Sequence, residues 1–287
     1  MTLDVEDYAA AAVSFLEAEP CSRNVLRWMV ELARARTGGW TAPATFWWFT
    51  QGRHVRGAAS WGPPFNLQVS TMPEDAAVAL VHSVAQHASR VRQPVAGVSG
   101  PRPPAAAVAT AWQTLTGQPA TVRMAQLLHE LDAVNRVPQP RGYRRTATMA
   151  DVDLVARWYA AFADEVGVPM SPDLRAMVRA MLAGGRCHLW CDGDSVVSMA
   201  ARRVAMVGVV RVGPVYTPPE HRGNGYARRL VAELSAEALA EPGVRKCMLF
   251  ADVDNPVSNS IYQQIGYVPR EEYLDVGFGD PHHGIAA

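Results

Sequence analysis

The stretch "VGPVYTPPEHRGNGYARRL", residues 212–230, decides the fold of this chain. It passes from an apolar run to a double proline, then to a basic residue with two glycines one position apart, and ends in an amphipathic segment. That order reads as a buried strand, a loop and the start of a helix. Gly223 and Gly225 let the backbone turn tightly and bring N–H groups close to a ligand, because no Cβ stands in the way. The helix that begins there adds unpaired N–H groups and about half a positive charge, which suit a phosphate or pyrophosphate. Arg222 supplies a forked donor beside them. The pattern is not a Walker loop, since no Gly-Lys-Ser/Thr follows, nor a dinucleotide fingerprint, since Arg228 stands at the third glycine's place. Read alone, the glycine pair also fits a plain strand-to-helix turn with its arginine in solvent.

A second segment, "NPVSNSIYQQIGY" (255–267), narrows the reading. Asn255 is placed to cap a short helix, Pro256 fits its first position and Gly266 falls just past its end. Arg222, Gly223, Asn224, Gly225, Tyr226 and Ala227, taken with Asn255, Tyr262, Gly266 and Tyr267 downstream, resemble the paired motifs of the GNAT superfamily of acyl-CoA N-acyltransferases. The resemblance covers residues 143–278. It implies a mixed sheet splayed between its fourth and fifth strands, with acetyl-CoA as co-substrate in the cleft. It further implies that backbone groups of Val215, Tyr216 and Thr217 pair with the pantetheine arm and that N–H groups from Arg222 to Ala227 hold the pyrophosphate. Asn255 would bond the same ligand, and the Tyr262 hydroxyl would face the thioester sulfur. Two plainer readings stay open: capping already accounts for Asn255, and Tyr262 also fits an ordinary core tyrosine with its hydroxyl satisfied.

Acyl transfer to an amine needs a free-base nucleophile, a stabilised oxyanion and a proton for the departing thiolate. Many members of the superfamily place a glutamate on the central strand as base, and "VVRVGPVY" (209–216) has none. Glu165, late in a preceding helix, is the best substitute, followed by His221 and Asp164. The alternative for Glu165 is a solvated carboxylate at a helix end.

Outward from these motifs, "VPQPRGYRR" (137–145) carries two prolines and a glycine and reads as a linker. The expected division is 1–136, 137–145 and 146–287. In the last part, Thr148 and Asp151 have capping-box spacing before a helix, and Ser171 and Pro172 open a second one. A hairpin turning at residues 192–195, a central strand, the loop helix, "KCMLFADV" (246–253), a short helix and a strand at "YLDVGF" (273–278) follow. The helix after the loop carries Leu230, Val231, Leu234 and Ala238 on one stripe, with Arg229 and Glu233 spaced to pair. The first half repeats this order, two helices, a hairpin, a strand and alternating helices, without the glycine pair; "MPEDAAVAL" (72–80) stands in its place. The fold class expected is α/β (α+β): tandem GNAT-like folds, each a mixed, largely antiparallel sheet flanked by helices, the first half a degenerate copy.

The composition suits a globular protein, with 49% hydrophobic and 19% charged residues, and 27 basic residues balance 27 acidic ones. That balance gives no electrostatic support for nucleic acid or an anionic membrane as partner. Four cysteines are too few and scattered for a disulfide scaffold, and "CHLWC" (187–191) reads as a strand rather than a metal site, so no metal is expected. No signal segment or membrane span is read, and a cytoplasmic location is the expectation. The function expected is acetyl-CoA-dependent N-acetylation of a primary amine on a small molecule (a natural product, an antibiotic or an amino acid), with a homodimer a further expectation. The alternatives are a non-catalytic acyl-CoA sensor and a protein N-terminal or lysine acetyltransferase.

Overall fold

A computed structural model describes residues 1–167 and 173–279. The chain forms two compact units. Of the described residues, the first takes 1–128, 252–254 and 271–279; the second takes those of 129–251 and 255–270.

In the first unit, α1 (Val5–Ala18) is capped by Asp4, whose side chain accepts from the Glu6 N–H at 2.8 Å. α2 (Asn24–Ala35) follows, then the hairpin β1 (Thr45–Gln51) and β2 (His54–Trp61), the short β3 (Leu67–Val69), α3 (Glu74–Val91), β4 (Gly97–Pro101), α4 (Arg102–Thr116) and β5 (Ala120–Leu131). β1 and β2 are antiparallel, as are β2 and β3, whereas β3 and β4 are parallel. The β3–α3 junction differs chemically from the glycine loop: α3 starts at Pro73 without a side-chain cap and carries Glu74 and Asp75 in its first turn. Those carboxylates take up the favourable end of the helix dipole that a phosphate would otherwise use.

The second unit contains β6 (Tyr143–Thr146), α5 (Val152–Val166), α6 (Leu174–Ala183), β7 (Cys187–Asp192), β8 (Ser195–Arg202), β9 (Val209–Tyr216), α7 (Tyr226–Leu239), β10 (Lys246–Asp252), α8 (Pro256–Ile265) and the beginning of β11 (Val268–Phe278). β6 to β9 are successively antiparallel, and β9 pairs β10 in parallel. Leu230, Val231, Leu234 and Ala238 of α7 are buried against Val210, Val212, Cys247 and Leu249 of the sheet, and Arg229 reaches Glu233 at 2.7 Å on the other face. A second core, on the α5 side, holds Val155, Ala156, Val178, Leu189, Met199 and Tyr216. Among the described residues no helix is long and apolar enough to cross a membrane.

Three sequence expectations meet a different arrangement. The last strand does not stay with its own half: Tyr273 to Gly277 of β11 pair antiparallel with Pro101 to Gly97 of β4. Leu274, Val276 and Phe278 enter the first unit's core, where Phe278 stacks on Trp112 at 4.9 Å between centroids. Residues 129–135 in turn belong to the second unit: Leu131 is buried in its core, and Asn135 N–H donates to the Ile265 carbonyl at 2.7 Å. The expected linker is packed within that unit too, since Val137 is buried, Trp190 Nε1 donates to the Arg141 carbonyl at 2.8 Å and Tyr143–Thr146 form a strand. The α6 cap is Asp173, accepting from Ala176 N–H at 3.0 Å; Ser171 and Pro172 lie outside the described residues. The capping box at Thr148 and Asp151 is present, and Asp151 also holds both Arg145 terminal nitrogens at 2.7 and 2.8 Å.

Two outcomes follow. Leu274→Ala should raise amide exchange in β4 far more than in α8, and a lesion felt equally in both units would contradict the β11 assignment; large-to-small core changes of this kind cost about 2–5 kcal/mol. Asp151, hydrogen-bonded by Arg145 first and then by the Thr148 N–H, is held at about 2. Because that lies below its value in the unfolded chain, about 3.9, its contribution is fully present above pH 4 and is lost as pH falls through 2. Asp151→Asn should therefore cost about 2 kcal/mol at pH 7, and the gap from wild type in denaturant titrations should close between pH 4 and pH 2.

Candidate active site

The site starts from a defect in β9. Ala200 of β8 pairs Val215 and Arg202 pairs Val212, so Gly213 and Pro214 together oppose the single residue Ala201. Pro214 has no N–H to give the ladder, and Gly213 sits at φ +134°, a conformation that favours glycine. The result is a β-bulge, and it inverts the alternation of the strand. Val210 and Val212 face α7; beyond the bulge it is Val215 that packs with that core, and Tyr216 turns to the α5 side.

At the same place β9 leaves β10. Their parallel register comprises only Val209, Val210 and Arg211 with Lys246, Cys247 and Met248, so from Val212 to Tyr216 no β10 partner is registered among the described residues. The sheet opens here into a cleft bordered by backbone with unpaired hydrogen-bonding groups, the kind of edge that takes an extended ligand as an added strand. Buried Ser198 fixes the end of β9: its hydroxyl meets the Tyr216 carbonyl at 3.2 Å and the Thr217 hydroxyl at 2.8 Å.

The loop follows directly. Gly223 and Gly225 both have positive φ, +82° and +79°, and a Cβ added at Gly223 would meet nothing within 4 Å, so the turn's inner surface is open. Gly225 caps α7, and the N–H groups of Gly223, Asn224, Gly225, Tyr226 and Ala227 take no carbonyl acceptor among the described residues. Arg222 differs from them. Its N–H donates to the Pro219 carbonyl at 3.2 Å and its Nε to the Thr217 carbonyl at 2.9 Å. Its terminal nitrogen reaches both Glu165 oxygens at 2.8 Å. The free donors of the loop thus begin at Gly223, and Arg222 braces it. The Tyr226 side chain points away, donating to Asp192 at 2.7 Å, while Asn224 donates to the carbonyls of His221 and Arg222.

Tyr262 lies on α8, packed against the α7 core that also holds Val215, with its ring edge-on to His129 at 6.1 Å and to Tyr267 at 6.0 Å. Its hydroxyl has no hydrogen-bond partner among the described residues, and burial pushes it up to about 12, so it is protonated at neutral pH. Asn255 caps α8 by accepting from Ser258 N–H at 2.9 Å. Glu165 is gathered with Tyr216, Thr217 and Arg222: the Tyr216 hydroxyl stands 3.5 Å from its carboxylate and the Arg222 guanidinium 6.0 Å from the Tyr216 ring. Desolvation, then the Glu165 charge, raises the Tyr216 phenol. No hydrogen bond joins Glu165 to Tyr262 among the described residues. Of these features sequence reasoning missed the bulge, for which the Gly213-Pro214 pair inside a strand was the available signal, and Ser198, for which there was none.

The model of the acetyltransferase (GNAT) family matches residues 153–267, a range containing the bulge, the loop and Tyr262. Those residues form a GNAT acetyltransferase domain. The acetyltransferase fold is also found well beyond the domain's own limits. A Drosophila protein of solved structure is similar over 97% of each chain, at 14% identity and a TM-score of 0.61. A GCN5-related N-acetyltransferase from Kribbella flavida covers 88% of this chain and 96% of its own at 14% identity, TM-score 0.58. A GNAT-family acetyltransferase from Colwellia psychrerythraea covers 87% and 95% at 15% identity, TM-score 0.54. At such identities the likeness is one of fold. No curated protein sequence matches the chain. The match at 153–267 supports acyl transfer as the activity of that domain.

Within the acetyltransferase domain the Arg222–Glu165 pair is about half exposed on both sides, so solvent screens it and it contributes about 0–1 kcal/mol. Glu165→Gln should lower the thermal midpoint only slightly, and 1 M salt should erase the difference; a large, salt-independent loss would mean that the pair is buried.

Proposed function

We propose that the chain transfers an acetyl group from acetyl-CoA to a primary amine of a small molecule, by direct attack of the amine on the thioester. The observation that carries this reading is the protonated Tyr262 hydroxyl, without a hydrogen-bond partner among the described residues, in the same unit as an opened β9 and a loop whose N–H groups take no carbonyl acceptor among those residues. In the proposed complex the edge of β9 that β10 leaves at Val215 and Tyr216, with Thr217 beyond it, accompanies the pantetheine arm, and the N–H groups of Gly223 to Ala227 hold the pyrophosphate, with Arg222 bracing the loop. Asn255 keeps its capping role and offers its remaining polar atoms to the ligand.

In the reaction the amine nitrogen forms a C–N bond to the carbonyl carbon, the oxyanion is held by backbone N–H, and the C–S bond breaks. Tyr262 protonates the departing sulfur, and the proton that the attacking nitrogen sheds as it becomes an amide returns to Tyr262 through solvent. The ammonium of the acceptor loses its proton through water or to Glu165, whose carboxylate must first loosen from Arg222. An α-amino group, with a pKa near about 7.7, needs less of this help than a lysine-like amine near about 10.4. The first unit is read as a degenerate copy of the fold, with the acidic first turn of α3 where the second unit has its loop.

A second reading, an acyl-CoA sensor without turnover, is favoured by the absence of a carboxylate on β9 and by the engagement of Glu165 with Arg222. Release of free thiol from acetyl-CoA with a panel of amines separates the two. Tyr262→Phe should lower kcat about 10²-fold while acetyl-CoA still binds, and unchanged turnover would remove that hydroxyl from the chemistry. Gly225→Asp, which adds a side chain and a like charge beside the pyrophosphate, serves as the binding control. Calorimetry should show it losing CoA, and retained tight binding would refute the loop's role.

A further inference from the structure

On the α5 side of β9 stands an arginine that the chemistry above does not use. Arg211 is the last residue of β9 registered with β10, opposite Met248, where the cleft begins. Val210 and Val212 on either side face α7, so alternation sends the Arg211 side chain toward α5, the side to which the bulge also turns Tyr216. Aromatic rings from α5 collect there: Trp158 lies 6.2 Å from Tyr216, and Tyr159 meets Phe162 at 6.4 Å.

Arg211 differs from the ion-paired arginines of the second unit. Arg144 pairs with Glu233 and Glu237, Arg145 with Asp151, Arg202 with Glu237 and Glu241, and Arg222 with Glu165. The Arg211 guanidinium has no ion pair or hydrogen bond among the described residues; the larger electrostatic influence on it is a like charge, Arg203, whose N–H donates to the Arg211 carbonyl at 2.9 Å, and the smaller is the Tyr159 phenol, which acts in the opposite sense. Arg186 adds further positive charge near Arg203. Desolvation, then Arg203, pushes the Arg211 guanidinium down to about 9, which still leaves it a cation at neutral pH. A partly desolvated cation without a counter-charge is costly, and that cost is offset when a ligand supplies the anion.

We infer that the acceptor amine also carries a carboxylate, which Arg211 holds on the α5 face of β9 while the rings of α5 cover the acceptor's apolar part. This rests on the acetyltransferase reading and specifies its acceptor as an amino-acid-like molecule. One guanidinium beside flat rings matches the planar, singly charged carboxylate, which can accept both fork hydrogens.

The test compares acids with their amides. α-Amino acids, ω-amino acids and dipeptides are assayed with acetyl-CoA against the corresponding amides and decarboxylated amines, with phosphoethanolamine as a separate arm. The wild type should favour acids over amides by at least about tenfold in kcat/KM, the scale of a charge-assisted hydrogen bond. The comparison is conservative, because an amide's amine lacks the neighbouring negative charge and deprotonates more readily. In Arg211→Gln the ratio should fall to about one through KM, with acetyl-CoA affinity unchanged and the thermal midpoint equal or higher; Arg211→Lys should recover part of the preference. Calorimetric binding of the same acids and amides to the full chain provides a readout that does not need turnover. Carboxylate binding that depends on Arg211 without thiol release from any amine would sink the transferase reading and the acceptor role with it, while confirming the carboxylate site at Arg211. Equal use of acids and amides, a preference that survives Arg211→Gln, a preference for phosphoethanolamine, or neither turnover nor carboxylate binding would each overturn it.

Discussion

The cleft of the second unit depends on one failure of hydrogen bonding. A parallel strand pair normally satisfies its backbone along its whole length, and β9 and β10 do so for three registered residues only. Past Arg211 the bulge at Gly213 and Pro214 bends β9 and reverses which side chains face which core. Backbone groups left unpaired in this way call for a partner, and an extended ligand is the partner that a strand edge accepts. The same bulge moves Val215 to the α7 side and Tyr216 to the α5 side, so one local irregularity both opens the sheet and furnishes its two walls.

The loop beyond β9 divides its labour. Its main-chain N–H groups, from Gly223 onward, are the unpaired donors, whereas the Arg222 side chain is committed to the Thr217 carbonyl and to Glu165. Backbone donors fixed at a helix start suit an anion because their positions are set by the fold before the ligand arrives. The contrast with Arg211 is physical: Arg222 is half exposed and paired with a carboxylate, while Arg211 is partly desolvated with an arginine as its charged neighbour.

The two units share an element order and differ where chemistry would occur. β3 and β4 are parallel like β9 and β10, yet the helix between β3 and β4 starts with Glu74 and Asp75 and no glycine pair. Sheet completion is not confined to each half of the sequence: β4 is paired by β11, whose apolar residues alternate into the first core. The first unit therefore draws part of its hydrophobic core from β11, and a cut in the middle of the sequence would separate that strand from its partner β4.

Much of the second unit was legible in the sequence because its signals are local. Asn255 with Pro256 and Gly266, the Leu230–Ala238 stripe, the Thr148–Asp151 box and the Gly223–Gly225 turn are each set by dihedral preference, capping or helical period, and each stands where the sequence places it. What the sequence could not determine is contact at long range. The pairing of β11 with β4, the Arg222–Glu165 bond across 57 positions, and the placing of Arg211 beside Arg203 with no ion pair among the described residues depend on which surfaces the tertiary structure brings together. An arginine reads the same in sequence whether a carboxylate awaits it or not. Only the folded sheet, with its bulge and its parted strands, decides which cation is spent on structure and which is left for a ligand.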